Sequence, residues 1–135
     1  MITFENDMNK RISKQVEVST RVRYLPEHSN AMEHSFFFMY TITIVNNSDQ
    51  TVKLISRHWD IFDSSGDKKV VEGEGVIGEQ PIIEPGKSYS YSSGCGLTTD
   101  IGRMSGYYTM IRVSDGHKFK VPIAAFELYL PYRLN

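Results

Sequence analysis

The chain has 135 residues, 40% of them hydrophobic, and 15 basic residues against 16 acidic ones give a net charge of -1. That is the size of one domain with enough apolar content for a real core, and the balanced charge leaves no electrostatic footprint for nucleic acid or an anionic membrane. One cysteine, Cys95, excludes an internal disulfide and a cysteine-built zinc site, and no apolar run is long enough to span a bilayer.

The N-terminal string MITFENDMNKRISKQ mixes charges and lacks an apolar h-region. The expected compartment is therefore the cytoplasm, with Cys95 reduced. Residues 1–13 have little definition, and NDMNKRISK is a marginal helical stretch. From there the pattern has period two. Val16, Val18, Thr20, Val22 and Tyr24 alternate with Glu17, Ser19, Arg21 and Arg23, as in an antiparallel strand with one wet face. Phe36, Phe38, Tyr40, Ile42 and Ile44 share a face in the next strand, while Phe37 and Met39 start the other face apolar. NNSD is a turn, because Asn and Asp tolerate left-handed backbone.

In TVKLISRHWDIFD the inward phase passes from Val52 and Leu54 to Trp59 and Ile61, which calls for a bulge. SSGD turns the chain into the short strand KKVV. Beyond a glycine-rich tract, KSYSYSS alternates Tyr89 and Tyr91 with serines. GYYTMIRV sets Tyr107, Thr109, Ile111 and Val113 on one face, and Asp115-Gly116 is a strong hairpin signal. KFKVPIAAFEL supplies Phe119, Val121 and Ile123 as a last strand. Many short strands with turns between them mean an all-β, single-domain antiparallel sandwich or a small barrel over residues 1–135, and the sandwich, of roughly seven to nine strands, is favoured.

The tract VEGEGVIGEQP spaces Gly73, Gly75 and Gly78 as G-x-G-x-x-G, the fingerprint of a dinucleotide-binding loop. That loop requires a helix opening within it, whose N-terminus holds the pyrophosphate. Pro81 falls inside the first turns of such a helix, at a cost of ~3 kcal/mol, and Pro85-Gly86 breaks the chain again. Glu72, Glu74 and Glu79 also surround the tract. Each carboxylate ~6 Å from a phosphate opposes it by roughly 0.7 kcal/mol in water-like dielectric. The glycines are expected to supply positive φ and close backbone approach at a sheet edge, although a nest of their amides could still hold an anion without a helix.

The strings RHWDIFDSSG, GEGVIGEQP, IEPGKSYSYSSG, LTTDIGRMSGYYTM and FEL, in this order, resemble the ApaG family over about Val16 to Leu128. The resemblance implies an immunoglobulin-like, fibronectin type III-like β-sandwich. It also implies a genetic association with cobalt and magnesium homeostasis that names no reaction. Gly96, Asp100 and Ala124 stand where proline is common in that family.

Candidate residues follow from these motifs. Arg57, His58 and Trp59 combine a cation, an imidazole and a large ring, although alternation sends His58 to the face opposite the other two. His58, Asp60 and Asp63 are too few for a metal site, and no metal or other cofactor is expected. SGCGLTTDIGRMSG reads as a long loop whose Thr98, Thr99 and Arg103 could donate to an anion or peptide. The expected function is a non-enzymatic binding module for a partner protein or a small ligand, with an edge strand open to homodimer pairing. The alternative is binding of pyrophosphate or a dinucleoside polyphosphate by Arg57, Arg103 and the amides of Gly73, Gly75 and Gly78. A hydrolase would require His58 as general base beside a nucleophile.

Overall fold

The strictest alternation in the sequence becomes the most buried strand. In the computed structural model, which describes residue 13 and residues 15–131, β2 (Phe36–Asn46) is buried at every second position. It lies between β1 (Val16–Tyr24) and β6 (Ser88–Leu97) in a three-stranded antiparallel sheet. The marginal helical stretch and, Ser13 apart, residues 1–13 fall outside the described residues.

The second sheet has the order β4-β3-β7-β8, formed by β4 (Lys68–Glu74), β3 (Val52–Asp63), β7 (Ile101–Arg112) and β8 (Lys118–Tyr129). The short β5 (Ile82–Ile83) pairs with the start of β3, on the side where β4 pairs with its later half. Two antiparallel sheets face each other, as the period-two reading and the family resemblance both implied. Between them pack Phe38, Ile42, Ile44, Leu54, Trp59, Tyr108, Met110 and Leu128, each at most 1% exposed. Burial stabilises the fold by roughly 2 kcal/mol per large apolar side chain.

The change of phase in β3 is a register shift between Leu54 and Ser56, opposite Met110 and Thr109. One extra residue puts Leu54 inward before it, and Trp59 inward after it. Tyr107, Thr109, Ile111 and Val113 do share a face, and it is the outer one, because the buried residues between them are Tyr108, Met110 and Arg112.

The stretch from Gly94 to Gly106 corrects the sequence reading. It is not a long loop: β6 continues to Leu97 and β7 starts at Ile101. Gly94, Gly96, Gly102 and Gly106 carry no side chains, so they erase the alternation by which the two strands would be recognised.

The glycine tract holds no helix. Val76 and Glu79 exchange both backbone hydrogen bonds, N–H to O at 2.8 and 3.0 Å, around Ile77 and Gly78 with φ of 49° and 76°. This is a two-residue hairpin turn of the type that needs positive φ at both centres. Ile77 is β-branched and adopts that region at a cost of about 1–2 kcal/mol. At Gly75, φ is 60°, and a Cβ would lie 2.1 Å from the Glu79 carbonyl oxygen.

Candidate functional site

The free edges of β6 and β4 lie on the same side of the sandwich, and a cleft of about 310 Å³ opens between the sheets there. Tyr40, Trp59 and Met104 line it from the core, Ser93, Gly94 and Cys95 from β6, and Arg57, Lys69 and Val71 from β3 and β4.

Arg57 stands over Gly73, its register partner. Its Nη1 donates to the carbonyls of Glu74 at 3.1 Å and Gly75 at 2.8 Å. A side chain at position 73 would meet this guanidinium at 2.9 Å. Gly73 and Gly75 therefore serve to dock Arg57 against the tract. Lys69 comes from the KKVV strand and was not singled out in the sequence, because nothing in that string reveals what lies across from it. Neither Arg57 nor Lys69 has a carboxylate within ion-pair distance among the described residues. The Trp59 indole is 1% exposed, and its Nε1–H has no hydrogen-bond partner. A buried donor left without an acceptor costs roughly 1–3 kcal/mol.

The amides of the glycine tract are largely committed within the protein. Gly75 N–H donates to Ile55 O at 2.7 Å, and those of Val76 and Glu79 serve the hairpin. Gly78 sits at the tip of that hairpin, beyond the cleft lining.

His58 faces outward, as alternation requires. It stacks on Tyr107 at 4.8 Å between ring centroids, and Lys120 Nζ lies 4.5 Å over the other ring. Its Nδ1 is 3.1 Å from Glu72 and its Nε2 3.3 Å from Asp60. These contacts tie β3, β4, β7 and β8 together on their solvent face. Arg103 is exposed and follows the outward parity of β7, opposite to Met104, which lines the cleft. It does not join Arg57.

Thr98 and Thr99 are occupied by Asp63. The Asp63 carboxylate accepts from Thr98 N–H at 2.7 Å, Thr98 Oγ1–H at 2.6 Å, Thr99 Oγ1–H and Ser65 N–H at 3.2 Å. Burial opposes ionisation of Asp63, but these hydrogen bonds outweigh it and hold the carboxyl well below its ordinary range. A depressed folded-state value means that Asp63 stabilises fully above the ordinary carboxyl value of 3.8, and that this is lost as pH falls below it. Asp63→Asn is expected to cost about 2 kcal/mol at pH 7. The loss relative to the parent should shrink in urea denaturation at pH 3 and below.

The thiol and the phenol that line the cleft, Cys95 and Tyr40, are held neutral. Burial pushes the Cys95 thiol up to about 11, partly offset by Lys69. At neutral pH this thiol is no nucleophile. Burial also pushes up the Tyr40 phenol, against a hydrogen bond with Ser93 and the charge of Arg57. Tyr91 and Tyr108 bond each other through their hydroxyls, and burial raises both.

Two sheets in the order β1-β2-β6 and β4-β3-β7-β8, with a cationic cleft along one open side, define a fibronectin type III-like sandwich. The chain belongs to the ApaG family: residues 26–112 match the ApaG domain. It is 47% identical over 128 residues to Protein ApaG of Shewanella piezotolerans, covering 95% of this chain and 100% of that one. Protein ApaG of Brucella canis is 45% identical over 124 residues, 92% and 95% of the two chains. The crystal structure of a Bordetella pertussis protein described as ApaA superposes with a TM-score of 0.83 at 41% identity, over 86% of this chain and 94% of that one.

Proposed function

We propose that this ApaG protein is a non-enzymatic binding module that receives an anionic group of a partner in the cleft between β4 and β6. The observation that carries the reading is the convergence there of Arg57 and Lys69, neither with a carboxylate partner among the described residues. Two cations without carboxylate partners attract an anion. The cytoplasm is the setting of this reading. The cobalt and magnesium association implied by family resemblance enters it only as an effect exerted through the partner.

The second reading is that the anion is itself pyrophosphate or a dinucleoside polyphosphate. Arg57 and Lys69 favour it, while the commitment of the tract amides argues that the glycines are not its cradle.

Trp59 is the only tryptophan of the chain and lines the cleft, so its emission reports occupancy. Titration with pyrophosphate and with a hexaglutamate peptide is expected to shift the emission. The shift should weaken in 0.5 M salt and fall at least tenfold in apparent affinity in Lys69→Glu. If neither probe moves the emission at millimolar concentration, the cleft is not an anion site.

A further inference from the structure

The strand that borders the cleft has a second opening on its other side. Residues Ser92 to Gly96 of β6 pair with Phe37 to Thr41 of β2, and β6 has no other strand partner among the described residues. On the outer face, Phe37 lies over Gly94 and Gly96. The missing side chains let its ring lean toward the edge. Leu25, His28, Phe37 and Met39 there line a mainly apolar groove of about 490 Å³, bounded by Ser92 and Gly94. On the inner side of the same edge lie Arg57, Lys69 and Trp59. Farther along β6 the outer face is polar, with hydroxyl pairs Thr41–Ser92 and Thr43–Ser90 at 2.8 and 2.9 Å.

A strand added to β6 would send alternate side chains to these two openings. Its outward residues would meet the apolar groove and its inward ones the cationic cleft. There is room in the architecture for such a strand. Immunoglobulin constant-type sandwiches carry a fourth strand at this edge, and variable-type ones carry it together with the strand that corresponds to β4.

We infer that the free edge of β6 docks an extended segment of a partner protein by strand addition, the segment alternating apolar and acidic residues through the positions that face Phe37 and Lys69. Backbone hydrogen bonds supply affinity and the alternate side chains supply specificity. A carboxylate every second residue meets Arg57 and Lys69. Charge selects a partner segment over a second copy of β6, whose Ser88–Leu97 sequence contains no acidic residue. The inference rests on the anion-binding reading of the cleft and adds the class of ligand.

The test is selection of a random octapeptide library on the full chain, followed by resynthesis of the enriched peptides. Enriched sequences are expected to alternate apolar and acidic residues and to protect amides of Ser92–Gly96 from hydrogen exchange. They should lose at least tenfold in affinity on Lys69→Glu and on methylation of alternate peptide nitrogens. Met39→Ser, at a residue that lines the apolar groove and not the cleft, should weaken apolar–acidic peptides while leaving the pyrophosphate-induced Trp59 shift unchanged. Enriched peptides that tolerate N-methylation on both alternations, or no enrichment at all, overturn strand addition. So does a sedimenting dimer whose β6 amides are protected without peptide. If pyrophosphate still moves Trp59 emission in those cases, the cleft stands as an anion site and only the peptide fails.

Discussion

Gly106→Ala is expected to destabilise the fold by on the order of 3–5 kcal/mol, the largest effect of any single methyl in this chain. Gly106 sits opposite Trp59 in the β3–β7 ladder, next to the register shift that β7 makes against β8. An added Cβ would lie 1.9 Å from the carbonyl oxygen of His58 and 3.0 Å from its carbon. Both are backbone atoms of a central strand that is paired on its other side by β4. The strand cannot retreat without breaking that pairing as well. A fall of about 15 °C in Tm is expected, and a Tm within a few degrees of the parent would mean that the ladder yields locally.

Trp59→Ala is the second large effect, at about 4 kcal/mol. The indole meets Tyr40, Tyr108 and Phe126 edge-on, at centroid distances of 5.5, 6.4 and 5.8 Å. These contacts join both sheets through one ring. Trp59→Phe separates packing from polarity. It loses part of the volume but also removes a donor without an acceptor, so about 1–2 kcal/mol is expected. Urea denaturation of the three proteins checks the order parent, Phe, Ala. A Phe variant as unstable as the Ala variant would show that the N–H has an acceptor in solution.

Elements sandwiched between neighbours were the legible ones. β2 shows six buried residues in strict alternation because one of its faces packs in the core and the other does not. The β3 bulge was legible as a change of phase, since Leu54 and Trp59 cannot both point inward without an extra residue. The β6–β7 corner was illegible because glycines stand at four of its strand positions. Pro81 ruled out the helix at the tract, but nothing foretold a turn with a β-branched residue at positive φ. Arg57 and Trp59 were found through the RHW string. Their companions were not, because Lys69 and Cys95 reach them only through pairing of strands distant in sequence. Thr98 and Thr99 looked available for the same reason: Asp63, which takes them, is 35 and 36 residues away.

Arg57 belongs to two neighbourhoods at once. Its guanidinium borders the cleft, and the same group fastens the backbone at Glu74 and Gly75. Nη1 is committed to those two carbonyls, so a guest meets this cation through its remaining donors. The triple-glycine signature thereby acquires a meaning without a bound phosphate: Gly73 leaves the space, and Gly75 the carbonyl, by which the neighbouring cation is held in place.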